Sequence, residues 1–399
     1  MSLLRRLAST AVVPAVATPA AVACGHVPVL GAATLDMWRR PDDDDASNAA
    51  LYIDGTVGLG GHSEMLLSTS TNTRLLCVDR DNEMLDVARQ RLARFGDRVA
   101  FARGSFGNLP ALLRTAGLPA QVDGVLLDLG INSEQLALAE RGFSFSRDGP
   151  LDMRFNRGGV QPTAAELLAR LDHEELSTLF RDYGGEPRHS AAARAVLRWR
   201  GERTADAAPP TTAELADVLF RALPPRRISG KGSSRKRRMR KGTGIHPATR
   251  CFQALRIAVN DELGEVDFFL NTVLPQVLRP GGGRAAIISF HSLEDRRVKR
   301  RFKAMANGCL CPRNGTEPCF ETDEEGVGGT DEEGGAAAGA GGGYARSERG
   351  VGALPRTPAT CQRTAVAKLL TRKAVVADDQ ETSENPRARS ARLRAIATL

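Results

Sequence analysis

The chain has 399 residues, 42% of them hydrophobic, which is enough for one large domain with an insertion or for two domains. Because 55 Lys and Arg residues outnumber 47 Asp and Glu residues, the net charge of +8 favours a polyanionic partner such as nucleic acid. Seven scattered cysteines argue against a secreted disulfide framework, and no apolar run beyond the N-terminal segment is long enough to span a membrane.

The first 35 residues contain two arginines, several Ser, Thr and Ala residues and no acidic residue. This composition is typical of an organellar transit peptide, so residues 1–25 are predicted to direct the chain to the mitochondrial matrix. A disordered tail is one alternative, and with it a cytoplasmic location. A secretory signal is another, but Pro14 and Pro19 interrupt the apolar stretch that it requires.

Short apolar runs alternate with helical patterns between residues 51 and 128, which is typical of a parallel sheet built from strand–helix units. The predicted strands are 51–53, 75–78, 99–101 and 122–127, and the predicted helices between them are 64–68, 82–95 and 109–116. Residues 26–136 are therefore predicted to form the first part of an α/β domain with a mostly parallel, doubly wound sheet.

The alternation stops after residue 128, and mainly helical patterns follow. These predicted helices are 164–171, 174–183, 190–200 and 212–223, and together they predict an inserted helical domain at 137–244. Predicted helices at 247–263 and 266–278 and a strong strand at 284–289 then return the chain to the same sheet, so 245–308 are predicted to be its second part.

The remaining residues divide by composition. Residues 309–360 contain the Glu-, Asp-, Gly- and Ala-rich stretch 321–343, which has too little apolar bulk to offset the entropy of ordering and is predicted to be a flexible loop. Residues 361–399 are predicted to hold a C-terminal strand region and a basic tail. Cys309, Cys311 and Cys319 lack the paired C-x-x-C spacing of a zinc ribbon, so no metal site is predicted.

A glycine-rich loop follows the first predicted strand and reads Asp54-Gly55-Thr56-Val57-Gly58-Leu59-Gly60-Gly61-His62. Glycines at the carboxyl end of a strand let a ligand approach the backbone closely. Asp79 ends the second strand 19 residues after Gly60, where doubly wound folds place a carboxylate for both hydroxyls of an adenosine ribose. The loop lacks the G-x-G-x-x-G order of dinucleotide enzymes and starts with an acid, which favours a cofactor with a cationic amino-acid end, such as S-adenosylmethionine (SAM). The alternative is a loop that merely turns the chain from strand to helix.

Asp128 ends the fourth predicted strand, at the edge of the same crevice. Three acids at successive strand ends, Asp54, Asp79 and Asp128, would be costly to bury without hydrogen-bond donors. A role facing a ligand is therefore preferred for them over packing in the core.

Ten long motifs occur in one order along the chain: 26–30, 54–63, 78–81, 128–136, 141–145, 149–154, 245–250, 252–260, 288–295 and 385–391. In these motifs the chain resembles the RsmH (MraW) family of SAM-dependent small-subunit ribosomal RNA (cytosine-N4)-methyltransferases, as a mitochondrial-type member. The resemblance covers residues 25–308 and returns near the C terminus. It implies a class I SAM-dependent methyltransferase fold, Rossmann-like, in which the inserted helical domain recognises the substrate.

The resemblance also implies which residues contact the cofactor. They are Gly60, Gly61 and His62 in the loop, Asp79 at the ribose, Phe106 beside the adenine, Asp128 and Gln135. Phe106 and Gln135 rest on the resemblance alone, since their patterns otherwise indicate core and surface helix. The chain departs from the family at Asn132, where serine is usual, at Ala137, where aspartate is usual, and in the acidic insertion after Cys319.

Methyl transfer to cytosine N4 requires acceptor side chains near the methyl donor, because the lone pair of the amine is delocalised into the ring. The candidate catalytic residues are Asp128, Asn132, Ser133 and His291. For His291, a proton relay and a structural hydrogen-bonding role are both open. No single general base is required, because the released proton can pass to water.

Residues 226–241 hold nine basic residues and no acid, which suits an RNA phosphate backbone, with a solubility-tuning loop as the alternative. The candidate RNA-binding residues are Arg235, Lys236, Arg237, Arg238, Arg240, Lys241 and Arg250. A target base must leave its stack to reach the methyl donor, so looped or single-stranded RNA is expected, as naked small-subunit rRNA or as the small ribosomal subunit. No membrane partner is expected, and a homodimer is left open.

The sequence thus predicts transfer of a methyl group from SAM to the N4 amine of a cytidine in small-subunit rRNA. The first alternative is an rRNA assembly factor that binds SAM without turnover, which only the departures at Asn132 and Ala137 favour. The second is a nicotinamide-dependent oxidoreductase.

Overall fold

The computed structural model of the chain describes residues 27–40, 49–204, 206–223, 246–307 and 365–399. The predicted transit peptide at 1–25, the basic residues at 235–241 and the predicted loop at 309–360 lie outside these ranges. Among the described helices, none has the length and apolar character needed to cross a membrane.

Seven strands form one sheet in the order β3-β2-β1-β4-β5-β7-β6. The strands are β1 (Leu51–Asp54), β2 (Arg74–Asp79), β3 (Val99–Arg103), β4 (Gly124–Asp128), β5 (Arg284–Ser289), β6 (Ala367–Leu369) and β7 (Arg392–Thr398). Strands β1 to β5 run parallel, whereas β7 pairs antiparallel with β5 and with β6. The strand order reverses between β1 and β4, so the predicted mostly parallel, doubly wound sheet is confirmed.

The helices of the described residues are α1 (Gly31–Trp38), α2 (Gly61–Thr69), α3 (Asn82–Leu92), α4 (Leu109–Thr115), α5 (Ser133–Ala137), α6 (Ala164–Arg170), α7 (His173–Asp182), α8 (His189–Glu202), α9 (Thr212–Ala222), α10 (Ala248–Asn260), α11 (Glu262–Phe268), α12 (Leu274–Val277), α13 (Ser292–Ala306) and α14 (Asp379–Glu384). The sheet is covered on both faces. Ile53 of β1 packs in one core with α4, α12 and α13, and its neighbour Tyr52 packs in the other with α1, α2 and α3. Burial on both faces explains why the parallel strands are continuous apolar runs rather than alternating ones.

The predicted helices at 247–263 and 266–278 are wrong in their limits. Helix α10 ends at Asn260 because Asp261 has a φ of 49°, in the left-handed region, and α11 starts directly after it. A π-helical turn, Phe269–Val273, then separates α11 from α12. Pro275 in the first turn of α12 lacks the N–H that a continuous α-helix would need there, which accounts for the interruption.

Helices α6 to α10 pack around a separate hydrophobic cluster that contains Leu176, Phe180 and Phe252. Helices α6, α7 and α9 each begin with a capping box, in which a Thr or Asp side chain accepts the N–H three residues on. Helix α10, which follows the predicted insertion at 137–244, packs in the same cluster, and the domain boundary at residue 244 stays a prediction.

Two segments from opposite ends of the chain meet beside the glycine loop. We call residues 27–30 the N-terminal strap and residues 378–391 the C-terminal segment. The N–H of Leu30 donates to Glu381 Oε1 at 2.6 Å, and Asn385 Nδ2 donates to the carbonyl of Val27 at 3.1 Å. These contacts hold both segments against the carboxyl edge of the sheet.

Candidate active site

A cavity of about 360 Å³ lies at the carboxyl ends of β1, β2 and β4, where the strand order reverses. The predicted cofactor residues in its lining are Gly61, His62, Asp79, Phe106, Asp128 and Gln135. Gly60 does not line the cavity and instead precedes the first residue of α2. The cavity therefore brings together residues from the glycine loop, from β2 and from the loops after β3 and β4.

The backbone of the glycine loop requires glycine at specific positions. Gly58 and Gly60 have φ values of 48° and 79°, in the left-handed region that side chains disfavour. A Cβ atom on Gly61 would lie 2.7 Å from Cγ of Pro28 in the N-terminal strap. The strap can therefore lie directly on the loop, and the Nε2 atom of His62 lies 3.0 Å from the Val29 carbonyl.

Asp79 ends β2 at the cavity and holds the loop in place. Its Oδ2 accepts the Gly58 N–H at 2.9 Å, and its Oδ1 accepts the Asp81 N–H at the same distance. Burial raises the pKa of Asp79 to about 6, although these two backbone hydrogen bonds oppose the rise. Phe106 begins the turn after β3, packs edge-to-face on Phe269 at 5.6 Å and presents an apolar surface to the cavity.

Asp54 differs from the other two acids at the strand ends, because it is 2% exposed and does not line the cavity. Its Oδ2 accepts the Ser63 hydroxyl at 2.7 Å and its Oδ1 accepts the Thr56 N–H at 3.3 Å. Burial raises its pKa to about 7. The expectation that Asp54 faces the ligand is wrong, since the loop itself supplies the donors that its burial needs.

Asp128 ends β4 inside the cavity. Its Oδ1 is buried without a hydrogen-bond partner among the described residues, and its Oδ2 lies 3.8 Å from His62 Nδ1. Burial, together with the charges of Asp54 and Glu294, raises the pKa of Asp128 to about 8, and the charge of Arg387 opposes this rise. An unpaired buried carboxyl oxygen is costly, so this atom is the point of the cavity with the strongest demand for a donor or a cation.

Asn132 and Gln135 line the cavity from the start of α5. The Asn132 Oδ1 accepts the Gln135 N–H at 2.9 Å and the Gln135 Oε1 accepts the Asn132 N–H at 3.2 Å, which forms a capping box. The Gln135 Nε2 also donates to Asp81 at 2.8 Å. The Asn132 oxygen is therefore already engaged in capping. The backbone of Ser133, another catalytic candidate, begins the same helix.

The opposite wall is formed by Arg256, Glu262 and Glu294. Glu294 Oε2 accepts the Phe290 N–H at 2.9 Å, and its Oε1 lies 3.1 Å from His291 Nε2. Burial alone would raise the pKa of Glu294, but the His291 contact and the Arg256 charge lower it. His291 itself does not line the cavity. Because it contacts Glu294, which does line the cavity, this catalytic candidate is one side chain away from the cavity.

Within the described part of the chain, one group of side chains has the composition and spacing of a metal site. It consists of Glu262, His291 and Glu294, whose potential ligand atoms lie within 4.8 Å of one another. Both oxygens of Glu262, however, accept hydrogen bonds from the Arg256 guanidinium at 2.7 and 2.8 Å. A bidentate guanidinium already neutralises this carboxylate. The arrangement is that of an ion-pair network.

Several lining residues come from parts of the chain far from the glycine loop. Arg387 and Ser390 reach the cavity from the C-terminal segment, and Phe155 reaches it from the insertion. Burial lowers the pKa of Arg387, while the charges of Asp128 and Glu134 oppose this effect. In the sequence, Arg387 falls in the motif at 385–391. The distance of this motif along the chain from the glycine loop does not indicate that the two lie in contact.

Of the candidate RNA-binding residues, Arg250 is described and the six at 235–241 lie outside the described residues. The Arg250 side chain is half exposed on α10 and lies 3.8 Å from Glu186. It is thus accessible for a phosphate contact, at some distance in the chain from the glycine loop.

The MraW methylase family matches residues 23–325 of the chain. The "Ribosomal RNA small subunit methyltransferase H" of Anaeromyxobacter sp. (strain K) is 42% identical over 376 residues, which cover 94% of this chain and 98% of that protein. The protein of the same name from Nitratidesulfovibrio vulgaris (strain DSM 19637 / Miyazaki F) is 39% identical over 376 residues, covering 94% and 86%. That of Heliobacterium modesticaldum (strain ATCC 51547 / Ice1) is 37% identical over 372 residues, covering 93% and 97%.

A solved structure described as a putative rRNA-methylase from Clostridium thermocellum is 19% identical over 26% of this chain and 52% of that chain. Its TM-score of 0.21 is too low to bear on the fold of this chain. The family match and the long relatives carry the assignment instead, because they span the glycine loop, the inserted helices and the return to the sheet. On that basis the chain belongs to the MraW methylase family and has the fold of a class I SAM-dependent methyltransferase.

Proposed function

We propose that the chain transfers the methyl group of SAM to the N4 amine of a cytidine in small-subunit ribosomal RNA. The observation that carries the proposal is the unpaired, buried Oδ1 of Asp128, which lies in a cavity shared with the glycine loop and Asp79. Membership of a methylase family supports the reaction type, and the printed names of the relatives support the rRNA substrate.

The residues of the cavity fit SAM. Gly58, which has a left-handed φ and no side chain, leaves the loop backbone open to the cavity, where the amino-acid end of the cofactor can approach it. Asp79 lies where a carboxylate accepts ribose hydroxyls, and Phe106 offers an apolar surface for adenine. SAM supplies a methyl group made electrophilic by a positively charged sulfur. Burial and neighbouring acids raise the pKa of Asp128, which means that they destabilise its carboxylate form. A positive charge beside Asp128 is therefore favourable.

On the acceptor side, Asp128 is the residue placed to orient the amine. A nearby cation lowers the pKa of Asp128 from about 8, so its side chain is a carboxylate when the site is loaded. That carboxylate would accept an amine hydrogen and so orient the N4 amine for methyl transfer. Glu294 bounds the same space, His291 positions Glu294, and the proton released from the amine passes to water.

The structure bears on the assembly-factor alternative through Asn132. Serine and asparagine are about equally good helix N-caps, and Asn132 caps α5 here. The departure from serine therefore preserves the structural role of the position. Membership of a methylase family argues against the nicotinamide-dependent oxidoreductase, and no observation on the described residues favours that alternative.

The test is mass spectrometry of nucleosides from isolated small ribosomal subunits incubated with the protein and SAM. We expect new N4-methylcytidine with the wild type and at least about a hundredfold slower formation with Asp128→Ala, since one hydrogen-bonding group in the transition state contributes about that much. The variant Asp86→Ala, at an exposed position on α3, serves as the matched control and should act like the wild type. SAM binding with no new N4-methylcytidine, together with altered subunit assembly, would support the assembly factor instead.

A further inference from the structure

Three aromatic rings from distant segments stack on the surface of the inserted helices. His246, just before α10, lies between Phe145 at 4.7 Å and Phe220 of α9 at 5.4 Å, with interplanar angles of 40° and 22°. Phe145 in turn packs edge-to-face on the buried Phe252 at 4.9 Å. We call Phe145, His246 and Phe220 the aromatic stack. It is anchored in the helical core at one end and ends in Phe220 at the other.

Phe220 is 45% exposed, the most exposed aromatic side chain among the described residues. Helix α9 buries Leu215 and Leu219 in the helical core, so the ring lies outside the face that holds the helix in place. An exposed ring that is held parallel to a second ring offers a preformed π surface. Core packing does not account for that exposure.

Two exposed arginines lie on α9 and α10. The Arg221 side chain, next to Phe220, is 79% exposed and lies 4.0 Å from Asp217, and the Arg250 side chain is 48% exposed and lies 3.8 Å from Glu186. In the sequence, residues 226–241, which fall between Leu223 and His246, hold nine basic residues and no acid. Aromatic rings among Lys and Arg residues are the usual combination in sites for single-stranded nucleic acid.

We propose that Phe220, supported by His246 and Phe145, is a stacking platform for an unpaired base of the RNA, with Arg221 and Arg250 contacting its phosphates. The proposal rests on the proposed function, in which the target cytidine leaves its stack. It adds a second base contact, on the inserted helices and apart from the methyl-transfer cavity. A protein partner fits less well, because the ring is a single exposed apolar group and the sequence that joins Leu223 to His246 is strongly basic, which suits phosphates.

The test measures binding of a fluorescein-labelled single-stranded decacytidylate by anisotropy, with S-adenosylhomocysteine present. We expect Phe220→Ala to weaken binding about 5- to 100-fold, as base–aromatic stacking predicts, and Phe220→Leu to weaken it almost as much. Phe220→Tyr keeps the ring and should bind like the wild type. Phe268→Leu, at the other exposed phenylalanine, is the matched control. The salt dependence should not change, because phosphate contacts are retained.

A direct readout of stacking comes from Phe220→Trp, whose tryptophan emission should be quenched by the oligonucleotide but not by an equal concentration of inorganic phosphate. Equal affinities of the wild type and Phe220→Leu would overturn the platform and leave the ring for a protein partner. If the wild type still methylates small subunits in that case, only the platform is overturned. Failure of the wild type to bind the oligonucleotide would likewise overturn the platform, whereas the proposed function fails on its own readout, the absence of new N4-methylcytidine in small subunits.

Discussion

At the scale of residues, the three acids at the strand ends have different tasks although the sequence presents them alike. Asp54 accepts hydrogen bonds from Ser63 and Thr56 and stabilises the loop. Asp79 both fixes Gly58 and borders the cavity, and Asp128 keeps one buried oxygen without a donor. In the proposed function, the ligand contacts therefore fall on Asp79 and Asp128, and each residue carries one prediction.

The first concerns the pH dependence of cofactor affinity. With a pKa of about 8, Asp128 is protonated at pH 6 in the ligand-free protein, and a bound sulfonium favours loss of that proton. Affinity for SAM should therefore rise between pH 6 and pH 8, by at most about tenfold per pH unit. S-adenosylhomocysteine, with a neutral sulfur, should show a weaker dependence. Calorimetric titration of both ligands at pH 6, 7 and 8 checks this, and equal pH dependence would refute it. Asp128→Asn should remove the difference.

The second concerns Asp79. Replacing it with alanine removes the proposed acceptor for two ribose hydroxyls and the acceptor of the Gly58 N–H. Each hydrogen bond to a charged group contributes about 1.5–3 kcal/mol, so SAM affinity should fall by about a hundredfold or more. Asp86→Ala, an exposed aspartate of α3, is the control and should bind SAM normally. Retained affinity in Asp79→Ala would count against the ribose assignment.

At the scale of elements, short caps and turns decide how the cavity is built. The capping box at the start of α5 fixes Gln135, which also donates to Asp81, and Asp81 pairs with the buried Arg141 at 2.6 Å. The left-handed Asp261 separates α10 from α11, so that Arg256 and Glu262 face each other across the turn. Both features depend on single residues, and the periodicity of hydrophobic residues along the sequence does not reveal them.

The role of Asn132 can be tested by substitution. Asn132→Ser should preserve stability and SAM affinity because serine also caps helices. Asn132→Ala should lower the free energy of unfolding by about 1 kcal/mol and weaken SAM binding, since Gln135 loses its position. Thr211→Ala removes the equivalent cap of α9 and should cost similar stability with unchanged SAM affinity. Denaturant unfolding and calorimetry measure both quantities. If Asn132→Ser behaves like Asn132→Ala, capping is not the function of this side chain.

At the scale of the whole molecule, the cavity is lined by segments from near both ends of the described chain. The N-terminal strap lies on Gly61, and the C-terminal segment brings Arg387 near Asp128. The hydrogen bond from Leu30 to Glu381 joins residues 351 positions apart. Cofactor affinity and the packing of the chain ends should therefore be coupled.

Glu381 provides the test of this coupling. Glu381→Ala removes the acceptor for the Leu30 N–H and should weaken SAM binding about 2- to 10-fold, the equivalent of one hydrogen bond. Glu381→Gln keeps an amide oxygen in the same place and should retain most of the affinity. Calorimetry gives the affinities, and protease cleavage near Leu30 reports release of the strap. Equal affinities for both variants and the wild type would show that the strap does not support the site.

Stability of the ligand-free protein should also depend on pH through Asp128. Its pKa is raised from 3.8 unfolded to about 8 folded, so the folded state binds the proton more tightly and this contribution is lost as pH rises from about 4 to 8. The asparagine of Asp128→Asn does not titrate, so the stability of the variant does not fall for this reason as the pH rises. The free energy of unfolding of the variant, relative to the wild type, should increase with pH by at most about 1.4 kcal/mol per unit. Urea unfolding at pH 5 and pH 8 checks the sign, and a constant difference would contradict it.

The sequence by itself determined the sheet, because β1 to β5 are apolar runs bounded by turn signals, and each predicted strand is present to within two residues at either end. It also identified the glycine loop, Asp79 and Asp128, since the ends of parallel strands must meet at one edge. Only the tertiary structure decided that Asp54 is internal, that His291 contacts Glu294 without lining the cavity, and that Arg387 and the strap line it. These outcomes depend on which distant segments pack together, and local spacing along a chain carries no information about such contacts.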